Sequence, residues 1–156
     1  MGHYKSNVRD LEFNMFEVLR MNEALDAGES GDMDTDIAKG ILAEVATLSE
    51  GPIAESYASA DRNPPVFHPE THSVSIPEDF KKSFKAWFDA GYWSMGLPED
   101  IGGMPAPRAM VWATGEMVLG ANAPAFMYSA GPSFAAVLYE NGTEEQKKWA
   151  ATCVER

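Results

Sequence analysis

The stretch from 124 to 139, PAFMYSAGPSFAAVLY, contains no charged residue. Read as a helix over about 124–140, it is apolar on every side. Such a helix is either buried or lines a cavity. Gly131-Pro132 should kink it near its middle, because proline lacks the N–H that the helical ladder needs. Small residues (Ser129, Ala130, Gly131, Ser133) sit there among large ones (Phe126, Met127, Tyr128, Phe134). Small side chains on a buried helix let something approach closely. Two occupants fit: a neighbouring helix, or the apolar tail of a ligand.

The remaining hydrophobic pattern is helical. Leu11, Met15, Val18 and Leu19 make a stripe at i, i+4, i+7 and i+8, with Asp10 as the expected N-cap. Ile37, Ile41, Val45 and Leu48 make a second stripe, widened by Leu42. Asp34, Thr35 and Asp36 suit its start, and Gly51-Pro52 should interrupt it before Ile53 and Tyr57 resume. Four prolines in NPPVFHPETHSVSIPEDF leave little room for regular structure. Ser75 and Pro77 are expected to open a third helix carrying Phe80, Phe84, Trp87 and Phe88, which Gly91 ends. A fourth helix is expected over about 107–119. A final one starts at the capping box Thr143-Glu144-Glu145-Gln146. No segment shows convincing two-residue alternation. The expected fold is all-α, with five or six helices in an orthogonal or up-down bundle and a core rich in Met and aromatic residues.

The chain has 156 residues and a net charge of -12. That charge argues against nucleic acid and anionic lipid, both of which call for basic clusters. No run of 18 apolar residues is present, so no membrane span is expected. Cys153 is the single cysteine, so an internal disulfide is impossible and the cytoplasm is the default compartment.

Candidate chemistry is sparse. Asp32, Asp34 and Asp36 begin like a calcium loop, but Ile37 and Ala43 stand where glycine and glutamate are required. His68 and His72 flank Glu70, yet Pro69 breaks the helical turn that a zinc pair would need. Cys153 lies well inside its helix and reads as a small buried thiol. No glycine-rich phosphate loop or nucleophile elbow is present.

Two motifs carry a resemblance. GYWSMGLPEDIGGMP resembles the G-[YW]-x-x-x-x-x-P-E-x-x-G-G loop of the acyl-CoA dehydrogenases, and GTEEQKKWAA is similar to the segment that closes that family's N-terminal helical domain. The opening HYKSNVRDLEFNMFEVL is similar to an extra segment in one branch of the family. That branch includes actinobacterial long- or broad-chain enzymes and the methylthiopropionyl-CoA dehydrogenases. The resemblance implies a helical extension over 1–33 and the family's N-terminal α-domain over 34–156. The family continues with a β-domain and a C-terminal four-helix domain, FAD lies between those two, and the catalytic Glu lies beyond residue 156.

The resemblance thus implies one wall of an acyl pocket, with its floor at Phe126, Ser129, Ala130 and Ser133. Aromatic bulk at Phe126, Tyr128 and Phe134 should shorten or bend the tail channel. It also implies that the whole protein acts on acyl-CoA, passes electrons to electron-transfer flavoprotein and forms a homo-oligomer. This piece alone is expected to lack activity, to bind no FAD and to self-associate. Pro98, Glu99, Gly102 and Gly103 match the loop motif and read as structural. The competing expectation is a free-standing acidic helical interaction module without catalysis.

Overall fold

A computed structural model describes residues 2–155; Met1 and Arg156 lie outside that range. The fold is all-α apart from one small hairpin. Helices α1 (Val8–Glu12) and α2 (Met21–Asp26) precede α3 (Thr35–Leu48), α4 (Tyr57–Arg62), the strands β1 (Val66–His68) and β2 (Ser73–Ser75), and α5 (Glu78–Asp89). Then follow α6 (Arg108–Ala121), α7 (Ala123–Tyr128), α8 (Ala130–Asn141) and α9 (Glu144–Glu155). The count exceeds six because three of the expected helices are broken.

The first break is at the N-terminus. Asn7, not Asp10, precedes α1, and the chain then widens into a π turn over Phe13–Val18. A wide turn advances less per residue around the axis than a 3.6-residue helix, so the stripe drifts off its face. Met15 stays buried, but Val18 and Leu19 swing out to 57% and 63% exposure. Met15, Leu25 and Met33 still join the same core cluster as α3, α5 and α6.

The second break follows α3. Asp34 caps this helix by accepting from the Ile37 amide at 2.8 Å. At Ser49–Ile53 the helix opens into a π turn, with Gly51 at φ -105, ψ -110. The opening frees carbonyls that the ladder would have used. Ser83 on α5 donates to Pro52 O at 2.6 Å, and Asn122 Nδ2 donates to Ile53 O at 2.9 Å. The break expected from Gly51-Pro52 therefore bolts α5 and the α6–α7 junction onto the end of α3.

The third break divides the apolar helix. It falls at Ser129 (φ -84, ψ 3), between α7 and α8, and not at Gly131-Pro132. Pro132 instead occupies the first turn of α8, where a missing N–H breaks no ladder bond. Nor is α8 enclosed: Ala135 is its buried residue, while Phe134 and Val137 are 73% and 60% exposed.

Three smaller expectations also fail. The proline-rich loop holds the hairpin, paired Val66 with Ser75 through His68 with Ser73, and closed by His68 Nε2 and Ser75 Oγ at 2.7 Å. Its prolines flank the ladder without entering it, and its side chains are mostly exposed, so no burial alternation betrays it. Helix α5 starts after Pro77, without a side-chain cap from Ser75. Cys153 is exposed, because α9 packs along α8 with Ala150 as its buried contact.

Among the described residues, five methionines are buried, as expected, but of the aromatics only Phe80 and Trp87 are. The capping box closes reciprocally: Thr143 N donates to Gln146 Oε1 at 2.8 Å, and Gln146 N to Thr143 Oγ1 at 3.3 Å. Among the described residues, no helix is long and apolar enough to cross a membrane.

Candidate functional site

Helices α5, α6, α7 and α8 meet around a chamber of 210 Å³. Phe126, Ser129, Ala130 and Ser133 all line it, so the structure brings together the four residues singled out in the sequence. The opposite walls are Trp87 of α5, the turn residues Tyr92, Trp93 and Met95, and Val111, Trp112, Thr114 and Gly115 of α6. Spacing along the apolar helix could not reveal these, since they come from other elements. Gly115 was the available signal, a glycine inside a helix of bulky residues.

Gly115 places the floor. A Cβ there would lie 3.0 Å from Phe126 Cε2, so the phenyl ring rides directly on the α6 backbone. The break at Ser129 places the side wall. Its hydroxyl donates to Ala125 O at 2.9 Å, the i-4 carbonyl, and accepts from Trp87 Nε1 at 2.9 Å. That pair ties the α7–α8 junction to α5.

The remaining polar groups of the inner walls are engaged in the same way. Thr114 Oγ1 donates to Met110 O at 2.9 Å and also contacts Val111 O at 3.1 Å. Trp93 Nε1 donates to Phe88 O at 3.0 Å, and the Tyr92 hydroxyl donates to Glu44. Burial and that hydrogen bond push the Tyr92 phenol up to about 12, and no Asp, Glu, Lys, Arg or His lines the chamber. Trp112 and Ser133, at one side, are the lining residues whose polar atoms have no side-chain hydrogen bond among the described residues. What the inner walls present to a guest is carbon.

The motif loop buttresses this chamber. Gly102 has φ 82, the left-handed region that favours glycine. Gly103 is required for a different reason. A Cβ there would sit 2.1 Å from Leu97 O, so its role is close approach and not positive φ. Gly96 N donates to Met104 O at 2.8 Å, and the Tyr139 hydroxyl donates to Asp100 Oδ2 at 3.0 Å, which anchors α8 to the loop.

Wider depressions exist, one of 610 Å³ beside Met33 and Ile37 and one of 730 Å³ beside Gly2 and Glu50. Their linings include Asp32 and Glu99 in the first and Glu50 and Glu55 in the second, so neither is an apolar enclosure. Among the described residues, no group of three potential metal ligands converges; His68 ends β1 and His72 sits in the exposed turn that follows.

A sequence profile described as "Acyl-CoA dehydrogenase, N-terminal domain" matches residues 42–152. The chain is 56% identical over its 156 residues to a broad-specificity linear acyl-CoA dehydrogenase of Mycobacterium tuberculosis. It spans 26% of that relative's length.

Proposed function

This chain belongs to the acyl-CoA dehydrogenase family, as its N-terminal domain, and on that premise we propose that the α5–α8 chamber receives the hydrocarbon tail of a linear acyl-CoA thioester. The observation that carries the reading is that the polar groups of the inner walls are already hydrogen-bonded to the protein. A polar guest would find only Ser133 and Trp112 uncommitted among the lining side chains, whereas an alkyl chain gains by leaving water. Phe126, Ser129, Ala130 and Ser133 are proposed as the tail-contacting residues. Trp87 acts as a positioning residue through Ser129.

The family implies FAD, which accepts hydride from the thioester when bound. The residues described here do not fit that group. No cationic side chain lines the chamber to meet a pyrophosphate, and the motif glycine Gly103 is closed against Leu97. We therefore assign to this chain only tail binding, tail orientation and exclusion of water. Flavin, the catalytic carboxylate and the surface for electron-transfer flavoprotein are assigned to further polypeptide of the kind the longer relative carries.

Exposed Met127, Tyr128, Phe134 and Val137 would pack against such polypeptide, or against a second copy in a homo-oligomer. A boundary at 33/34 and a cytoplasmic setting belong to the same reading.

The test is a graft. This chain replaces the matching part of the mycobacterial relative, and oxidation of a graded acyl-CoA series is followed with and without Ala130→Trp. The reading expects an active graft whose long-chain activity Ala130→Trp depresses, with flavin absorbance unchanged. Equal activity on every chain length in both proteins would contradict it.

A further inference from the structure

The chamber does not end at Ser133. A second, more open cavity of 340 Å³ lies between α6 and α8 and runs outward to Arg108 and Glu140. The two cavities share five lining residues: Trp93, Met95, Val111, Trp112 and Ser133. Those five form a neck between them.

Most of the neck is held in place. Trp93 stacks on Phe88 with ring centroids 4.8 Å apart and planes 4° from parallel, and its indole nitrogen is tied to Phe88 O. Val111 is pressed against the turn below it, since a Cβ on Gly96 would lie 2.7 Å from Val111 Cγ2. Met95 is buried. The side facing these is α8, and there the chain places serine.

We propose that Ser133 is a chain-length determinant: its small side chain keeps the neck open, so an acyl tail that outgrows the inner 210 Å³ runs on into the outer cavity. This rests on the reading of the inner chamber as a tail site. The occupant is an unbranched chain, because fixed side chains on one side and a helix on the other leave a slot and not a bowl. Arg108 and Glu140 mark where apolar lining gives way to charge, and so where further methylenes stop gaining.

The residues that line both cavities belong to this chain, so the chain itself is the test object. Saturated acyl-CoA thioesters from butanoyl to hexadecanoyl are titrated against it, with tryptophan emission as the readout, since Trp87, Trp93 and Trp112 line the path. For the native chain, affinity should climb by up to about fourfold per added methylene until the outer cavity is filled. Ser133→Phe should weaken hexadecanoyl-CoA about tenfold or more beyond any loss for butanoyl-CoA, so that its affinity levels off at a shorter length.

Trp112→Ala tests the neck from its other side, at a residue whose 62% exposure makes truncation tolerable. Widening the slot should raise affinity for a methyl-branched chain. Parallel length dependence in the native chain and Ser133→Phe, with no gain for the branched chain in Trp112→Ala, would overturn the neck and leave the inner chamber standing. Absence of binding by the native chain at every length would overturn the chamber reading itself, and the neck with it.

Discussion

The indole nitrogen of Trp87 donates to the hydroxyl of Ser129 at 2.9 Å, across the gap between α5 and the α7–α8 break. Trp87 is 4% exposed, so no solvent stands ready to replace that partner. Ser129→Ala orphans a buried N–H and should cost about 1–3 kcal/mol in urea unfolding. Trp87→Phe removes the donor together with its need. The double variant should therefore lose less than the sum of the two single ones. Strict additivity would mean that the pair does not hold the wall.

Asn122 is fully buried and donates both to Ile53 O and to Ser56 Oγ, at 2.9 and 3.1 Å. Asn122→Ala should destabilise by about 1–3 kcal/mol through the orphaned carbonyl. Asn122→Asp should be worse at neutral pH, because an ionised carboxylate cannot donate and is itself buried. Its deficit should shrink as the carboxyl is protonated in acid. Thermal melts of both variants at pH 4.5 and 7, compared with the native chain, check this.

Tyr92 has its phenol raised to about 12, first by burial and then by its hydrogen bond to Glu44. A raised acid favours the neutral form in the fold. Its contribution to stability is complete below the unfolded value near 10 and is lost as pH rises from there through about 12. Absorbance at 295 nm should show a tyrosine that ionises late, and Tyr92→Phe should remove that late component. Tyr4 and Tyr139 are also raised, so the test rests on the difference between the two proteins.

The motif glycines should respond unequally to alanine. Gly102→Ala meets only the strain of φ 82, about 1–2 kcal/mol. Gly103→Ala must displace the Leu97 backbone and should cost more, about 3 kcal/mol. Gly131→Ala, in the first turn of α8 with nothing within 4 Å, should be neutral or stabilising by up to about 1 kcal/mol. Chemical denaturation of the three variants gives the order.

Much of this was legible wherever a local rule acts alone. The Asp34 cap, the interruption at Gly51-Pro52, the turn at Gly91 and the Thr143–Gln146 box each depend on a few adjacent residues, and each is present. Where a rule assumes an unbroken period it failed, as at Val18 and Leu19, which a π turn rotates outward. The break at Ser129 was misplaced because Pro132 is as compatible with a helix start as with a kink. Four lining residues lay in one run of sequence and were found together. Trp87, Val111 and Gly115 were not, because the approach of α5 and α6 to α8 is a tertiary fact that no spacing encodes.

The most direct test of the chamber is to locate the acyl tail. Uniformly ¹³C-labelled decanoyl-CoA bound to this chain should show NMR cross-relaxation from its methylenes to the ring protons of Phe126 and Trp87 and to the methyl of Ala130. Methylenes that touch none of these, and instead report the groove beside Met33 and Ile37, would contradict the account.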